Sequence, residues 1–393
     1  MSERTLRGKA AVVGVGETRY YKHSTAPEPE FKLALMAILN ACEDAGIDAR
    51  EIDGFASFSN DRNEPPRLAA ALGIRELRFS DMLWGGGGGG GSGAVAHAAA
   101  AVATGMADCV VAFRALAQGQ FGRFGRSAEV RTVSGEMSYQ VPYGAMTPAQ
   151  RYSMKAMRFM HEHGVEREAL RAIAMASYSH AQNNPNAVMY GKPLDVEKYE
   201  SSRYIAEPHH LYDCCMENDG AAAVIVVSAE RARDLKQKPA FLLGAASGCP
   251  YRAAAASANT PAFGSSHFTS VAPHMYEMAR IKPQDVDVVQ CYENFTGGVL
   301  MSLYEHGFLK DGEINDFLVL PNLLAKGGKL PLNTSGGNLA ECYMHGMELH
   351  IEAVRQLRGQ SLNQVDGSEV AMVVAGPMVT PVTTCVYGTE ATL

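Results

Sequence analysis

Val286-Asp287-Val288-Val289-Gln290-Cys291 (VDVVQC) is a short apolar run entered through an aspartate, and an earlier stretch, Ile52-Asp53-Gly54-Phe55-Ala56-Ser57 (IDGFAS), has the same form. The neighbours of the two runs match as well. Before the first stand an apolar segment ending in glycines, Lys9–Gly16 (KAAVVGVG), and a helix expected from about Glu30 to Asp44 with Gly46 as its stop. Before the second stand Lys238–Gly244 (KPAFLLG) and a helix expected from about Val271 to Arg280. After the first come a glycine-rich stretch, an Ala-rich helix (Ala94–Thr104) and a strand (Cys109–Phe113). After the second come Ser335-Gly336-Gly337, a helix running to about Leu357, and an apolar strand (Val370–Ala375). The offset is roughly 230 to 245 residues throughout. The pattern predicts two similar α/β units, residues 1–235 and 236–393, with strands too apolar to face water on either side.

Between the matched segments lies an insertion, about Ala117 to Leu211, with helices expected from Pro148 to His163 and from Glu166 to His180. It reads equally as a surface subdomain and as a cover over a substrate, since long insertions often carry binding function. The composition, 47% hydrophobic and 20% charged, suits a globular chain with a large core. A net charge of −7 argues against a broad nucleic-acid surface. No apolar run is long enough to span a bilayer, and the charged N-terminus passes straight into a strand, so a signal peptide is not expected. Eight scattered cysteines in a chain this long read as reduced thiols, and a cytoplasmic protein is the expectation.

Several strings together carry a resemblance. Asp213–Ala223 (DCCMENDGAAA), Asn184-Pro185 after a helix, Asn333-Thr334-Ser335-Gly336-Gly337, Val12–Thr18 (VVGVGET) and the Asp44–Ile47 turn resemble the sterol carrier protein X–type thiolases across nearly the whole chain. The resemblance implies a thiolase-like duplicated five-layer α/β/α/β/α fold with a loop-domain insertion. It breaks at every thiolase reacting side chain. The nucleophilic cysteine's place falls near Gly90, inside a run of seven glycines (Gly85–Gly91) followed by Ser92-Gly93. Tyr292-Glu293-Asn294-Phe295 replaces the Asn-Glu-Ala-Phe or His-Asp-Cys-Phe motif, Tyr343 aligns with the GHP histidine, and Gly376–Thr380 replaces the final cysteine motif. This pattern resembles the thiolase-like aldolases of bacterial steroid side-chain degradation, often labelled lipid-transfer proteins. That resemblance implies catalytic tyrosines at Tyr292 and Tyr343, a β-hydroxyacyl-CoA substrate releasing propionyl-CoA and a steroid ketone, and a homodimer joined to an OB-fold partner of the acyl-CoA-associated type.

The chemistry agrees with the substitutions. Thiolysis needs a thiolate to carry the acyl group. Retro-aldol cleavage needs only a proton acceptor, a proton donor and hydrogen bonds to the enolate oxygen. The Gly90-Gly91-Ser92 segment at a helix start can offer backbone N–H groups to that oxygen. A free phenol, with a pKa of about 10, is a better acid than base, so His345, Glu293 and Asn294 are candidates for tuning the pair. No metal or prosthetic group is expected, CoA arriving as part of the substrate. His209, His210, Cys214 and Cys215 lack zinc spacing, and Gly14-Val15-Gly16 lacks the third glycine of a dinucleotide loop, Arg19 standing there. Two rival readings remain: a non-catalytic thiolase-like scaffold subunit, and an acyltransferase with a relocated cysteine such as Cys291 or Cys342. Incubation with an acyl-CoA followed by intact-protein mass spectrometry separates the last of these. The aldolase reading expects no added acyl mass, and a stable adduct on a cysteine would reinstate covalent transfer.

Overall fold

The computed structural model describes residues 5–85, 87–121, 132–253 and 262–393. Twelve strands are found among these residues: β1 (Ala10–Glu17), β2 (Tyr21–Lys22), β3 (Gly54–Phe58), β4 (Phe79–Leu83), β5 (Cys109–Ala117), β6 (Tyr204–Ala206), β7 (His209–His210), β8 (Asn218–Ser228), β9 (Ala240–Gly248), β10 (Val288–Cys291), β11 (Val370–Ala375) and β12 (Val382–Gly388). Ten of them form one mixed sheet in the order β10-β11-β12-β9-β1-β8-β5-β3-β4, with β2 paired to β8. The order repeats. In one half β3 runs parallel to β5, β5 antiparallel to β8, and β8 antiparallel to β1. In the other β10 runs parallel to β11, β11 antiparallel to β12, and β12 antiparallel to β9. The opening strands β1 and β9 pair with each other, Ala11 opposite Phe241 and Val12 opposite Ala240, which joins the halves.

Seven helices matter for the layers and the site: α1 (Glu30–Ala45), α2 (Gly91–Ala103), α3 (Pro148–His163), α4 (Arg167–Ala181), α5 (Ala272–Ala279), α6 (Thr296–Glu305) and α7 (Met347–Arg358). Alternation along the strands sends residues to two buried faces. Ala10 and Val12 share a core with α2, α7 and the inner faces of both halves, including Val110, Val224, Val288 and Val373. Ala11 and Val13 point the other way, onto α1. In the second half Leu243, Val289 and Val374 pack on α5, α6 and the insertion helices α3 and α4. The result is the expected five layers, with α2 and α7 in the middle. Because both faces are covered, the strands read as continuous apolar runs rather than alternating ones. Among the described residues no helix is long and apolar enough to cross a membrane.

Two helix boundaries differ from expectation, and both differences fall where glycine or packing overrides local propensity. The helix expected from Ala94 begins at Gly91, so Ser92 and Gly93 lie inside its first turn. A Cβ on Gly93 would stand 2.4 Å from Leu83 Cδ2, and one on Gly90 2.4 Å from Phe58 Cβ, so this end is packed too closely for side chains. The helix expected after Ser335-Gly336-Gly337 and running to about Leu357 is preceded by a separate turn. Gly337–Glu341 form one π-helical turn, Cys342 is extended at φ −165°, His345 and Gly346 take φ of 53° and 86°, and α7 starts at Met347. Tyr343 lies between that turn and α7.

Gly14 and Gly16, the incomplete dinucleotide motif, serve the packing of α1 on β1. A Cβ on Gly16 would stand 2.2 Å from both Ala37 O and Ala41 N, backbone atoms that cannot swing aside. Gly16→Ala is therefore expected to lower stability by at least about 1–3 kcal/mol, the cost of overpacking a rigid contact, measured as a lower urea midpoint.

Candidate active site

Tyr292 continues β10 by one residue. Its N–H donates to Val374 O at 2.9 Å, which carries the parallel ladder with β11 to the carboxyl end of the sheet, where open α/β sheets place ligands. The chain then turns into α6, and a buried turn must find substitutes for its lost ladder bonds. Asn338 Oδ1 accepts from Glu293 N at 2.8 Å, Asn294 Nδ2 donates to Pro377 O at 3.0 Å, and Asn294 O accepts from Cys215 N at 3.1 Å. Just before the turn, Asn333 brackets Cys291 with both side-chain atoms, accepting from its N–H at 2.6 Å and donating to its C=O at 2.9 Å. Tyr343 is pinned from another direction, its N–H donating to Asn218 Oδ1 at 2.6 Å at the start of β8.

These supports bring the two phenols together. The Tyr292 and Tyr343 hydroxyls are 2.5 Å apart in the wall of a cavity of about 1080 Å³. That volume is at the upper end of small-molecule sites and suits a bulky ligand. Tyr152, Tyr178, Met189, Ile205 and Leu211, all within the insertion, line the same cavity, so the insertion forms one side of it. Tyr292 needs bare backbone beside it: a Cβ on Gly88 would stand 2.0 Å from its ring and 2.4 Å from its hydroxyl.

The remaining candidates divide. Asn294 and His345 line the cavity, and the His345 ring lies 5.0 Å from that of Tyr343, edge to face. Burial, with Arg114 and Arg62 adding to it, holds His345 well below the usual histidine range, so it is a neutral imidazole. Glu293 is not part of the wall. Its carboxylate points behind Tyr292, accepting from Ser177 Oγ at 2.5 Å and Leu339 N at 3.3 Å. Of the glycine run, Gly87 and Gly88 line the cavity. Gly90 packs under Phe58, Gly91 faces His345 O, and the Ser92 hydroxyl is turned into the core, donating to Val373 O at 3.2 Å with His350 Nε2 at 3.3 Å. The structure does not bring these three to the wall. Arg114 does line it and was missed: an arginine inside a strand of apolar residues (Cys109–Ala117) was the available signal.

Comparison with known proteins bears on the fold and the family. A family model described as thiolase C-terminal domain-like matches residues 252–389. The 17-hydroxy-3-oxo-4-pregnene-20-carboxyl-CoA lyase of Mycobacterium tuberculosis is 42% identical over 94% of this chain and 97% of its own length. A steroid side-chain-cleaving aldolase of Thermomonospora curvata is 39% identical over 94% and 96%. A solved structure named "Ltp2-ChsH2(DUF35) aldolase" superposes with a TM-score of 0.91 at 37% identity, covering 99% of this chain and all of that one. The chain belongs to the thiolase-like aldolases.

In this aldolase the thiols are poorly placed for covalent chemistry. Cys291 and Cys342 are fully buried and outside the cavity wall. Cys214 and Cys215 line it, yet burial pushes the Cys215 thiol up to about 12, leaving it protonated near neutral pH. Among the described residues no three His, Cys, Asp or Glu side chains converge as metal ligands. Burial also holds both phenols well above the usual tyrosine range, so the pair is neutral.

Burial pushes Glu293 up to about 7, against the hydrogen bonds from Ser177 and its other donors, and pushes Glu348 up to about 8. A carboxyl that binds its proton more tightly folded than unfolded contributes stability in full below the ordinary carboxylate range. It loses that contribution as pH rises through the folded value. The urea midpoint of the aldolase is expected to fall between about pH 5.5 and about 8.5, and Glu293→Gln should make the fall shallower. Parallel pH profiles for the two proteins would show that Glu293 is already ionised in the folded state.

Proposed function

We propose that this aldolase cleaves the Cα–Cβ bond of a β-hydroxyacyl-CoA carried on a steroid nucleus, releasing a ring ketone and a short acyl-CoA such as propionyl-CoA. The observation that carries the reading is the pair of neutral phenols sharing a 2.5 Å contact in the cavity wall. The names of the lyase and aldolase relatives supply the substrate class, and the cavity volume agrees with it.

A neutral pair favours a relay over a phenolate base. One tyrosine faces the β-hydroxyl and the other faces Cα. As the Cα–Cβ bond breaks, the hydroxyl proton passes to the first phenol oxygen. The first phenol gives its own proton to the second, and the second delivers its proton to Cα. The hydroxyl becomes the ketone, the bonding electrons pass through the thioester enolate into the new C–H bond, and both tyrosines end neutral. No ionised phenol is needed, which is what desolvation favours. His345 and Asn294 are assigned to orient the thioester end, and Glu293 and Asn338 to hold the Tyr292 turn.

The assembly we propose is a cytoplasmic homodimer joined to an OB-fold partner of the DUF35 type. The related solved aldolase, whose name includes a DUF35 chain, supports the partner.

Tyr292→Phe and Tyr343→Phe are the direct test, assayed with the DUF35-type partner present. Each removes one oxygen from the relay and leaves the ring packing in place. Each is expected to lower kcat by about 10²–10⁴-fold with little change in melting temperature. Liquid chromatography of the wild-type reaction should show a shorter acyl-CoA and a free ketone in equal amounts. Full cleavage by either phenylalanine variant would remove the tyrosines from the mechanism.

A further inference from the structure

We propose that Arg114 is a further catalytic residue, the cation that meets the negative charge developing on the thioester oxygen. This rests on the retro-aldol reading above. In a neutral relay the phenols gain no charge, so the enolate oxygen is where charge accumulates as the carbon–carbon bond opens. Gly90, Gly91 and Ser92, the expected backbone donors, are not among the residues that line the cavity, where the glycine run contributes Gly87 and Gly88.

Arg114 has the placement that this charge requires. It sits on β5 with 2% of its surface exposed, and it still forms part of the cavity wall. Its Nη1 donates to Phe58 O at 2.6 Å and to Asp61 Oδ2 at 3.2 Å. Among the described residues neither Nε, which is covered, nor Nη2 makes a hydrogen bond, so the buried guanidinium is only partly satisfied by the protein. The other cations of the cavity are less suited. Lys22 and Arg203 are exposed, and Arg62 is held by Glu30 through Nε at 3.2 Å and Nη2 at 2.6 Å.

The same stretch of wall carries the phenols. Arg114 Cζ lies 5.4 Å from the centre of the Phe58 ring, Phe58 packs on Gly90, and Gly88 packs on Tyr292. Tyr292 and His345 both lie within electrostatic reach of the guanidinium. A fixed, buried cation stabilises a developing oxyanion far more than the same charge in solvent, and it needs no reorganisation. Asp61, buried and bonded through a single oxygen to Nη1 alone, fixes the head group.

A merely structural Arg114 would tie β5 to the Phe58–Asp61 loop, so the test separates binding of the enolate from stability. The probes are two CoA ligands of one skeleton: a saturated acyl-CoA, and a nitronate analogue whose planar anion stands in for the enolate. Arg114→Gln is combined with Asp61→Asn so that no unpaired acid is left buried, and Arg114→Lys is made beside it. With the DUF35-type partner present, the double variant should lose about 10²–10³-fold in kcat and a similar factor in nitronate affinity. Its saturated acyl-CoA affinity should stay within a few-fold of wild type, and lysine should restore part of both losses. Unchanged nitronate affinity, or equal losses for both ligands, would overturn the assignment while leaving a wild-type retro-aldolase intact. Failure of the wild type to cleave any β-hydroxyacyl-CoA would bring down both readings. If the double variant does not fold, the nitronate to acyl-CoA affinity ratio of Arg114→Lys decides: a fall relative to wild type supports the role, and no change rejects it.

Discussion

Two buried phenol hydroxyls 2.5 Å apart can coexist only if one donates to the other, and the local structure holds them to that arrangement. Tyr292 is placed by the last rung of a parallel ladder and Tyr343 by an asparagine at the start of β8, so each half of the molecule contributes to the position of the pair. Neither backbone segment is regular where the tyrosine sits. One leaves a strand and the other precedes a helix, and Asn333, Asn338, Asn218 and Asn294 supply the bonds that regular structure would otherwise provide. Asparagine suits this task because one short side chain both donates and accepts.

The fold explains how a site can lose its thiol and keep a use. The duplicated sheet buries both faces, and Tyr292, just past the end of β10, lies in the cavity wall against the bare backbone of Gly88. Small residues there make room for aromatic rings where a cysteine and its partners would have stood. The cost is a set of buried titratable groups (Glu293, Glu348, His345 and the phenols), each pushed toward its neutral form by desolvation rather than held charged by pairing. Neutrality suits a reaction that shuttles one proton and leaves one transient charge.

Some of this was legible in the chain. The repeated grammar around Ile52 and Val286 and the glycine-rich entry to α2 pointed to the fold, and the absence of a cysteine near Gly90 argued against thiolysis, since apolar periodicity and missing atoms are local facts. The tyrosines were legible as replacements at two motif positions. Their partners were not. Glu293 adjoins Tyr292 in sequence and faces away from the cavity, and the Ser92 hydroxyl is turned into the core. Adjacent residues at a turn point in different directions, and a run of glycines carries no periodicity from which to read direction.

By itself the sequence determined which layers form, that two similar halves build them, and that no thiolase nucleophile stands at the entry to α2. Those follow from the spacing of apolar residues and from composition, which act over a few turns of chain. Only the tertiary structure decided that hydroxyls 51 residues apart would touch, that an irregular turn carrying Tyr343 would precede α7, and that the Arg114 guanidinium would lie in the wall only partly hydrogen-bonded. Those are outcomes of packing two halves around a shared central layer, where the position of each side chain depends on partners contributed by distant segments.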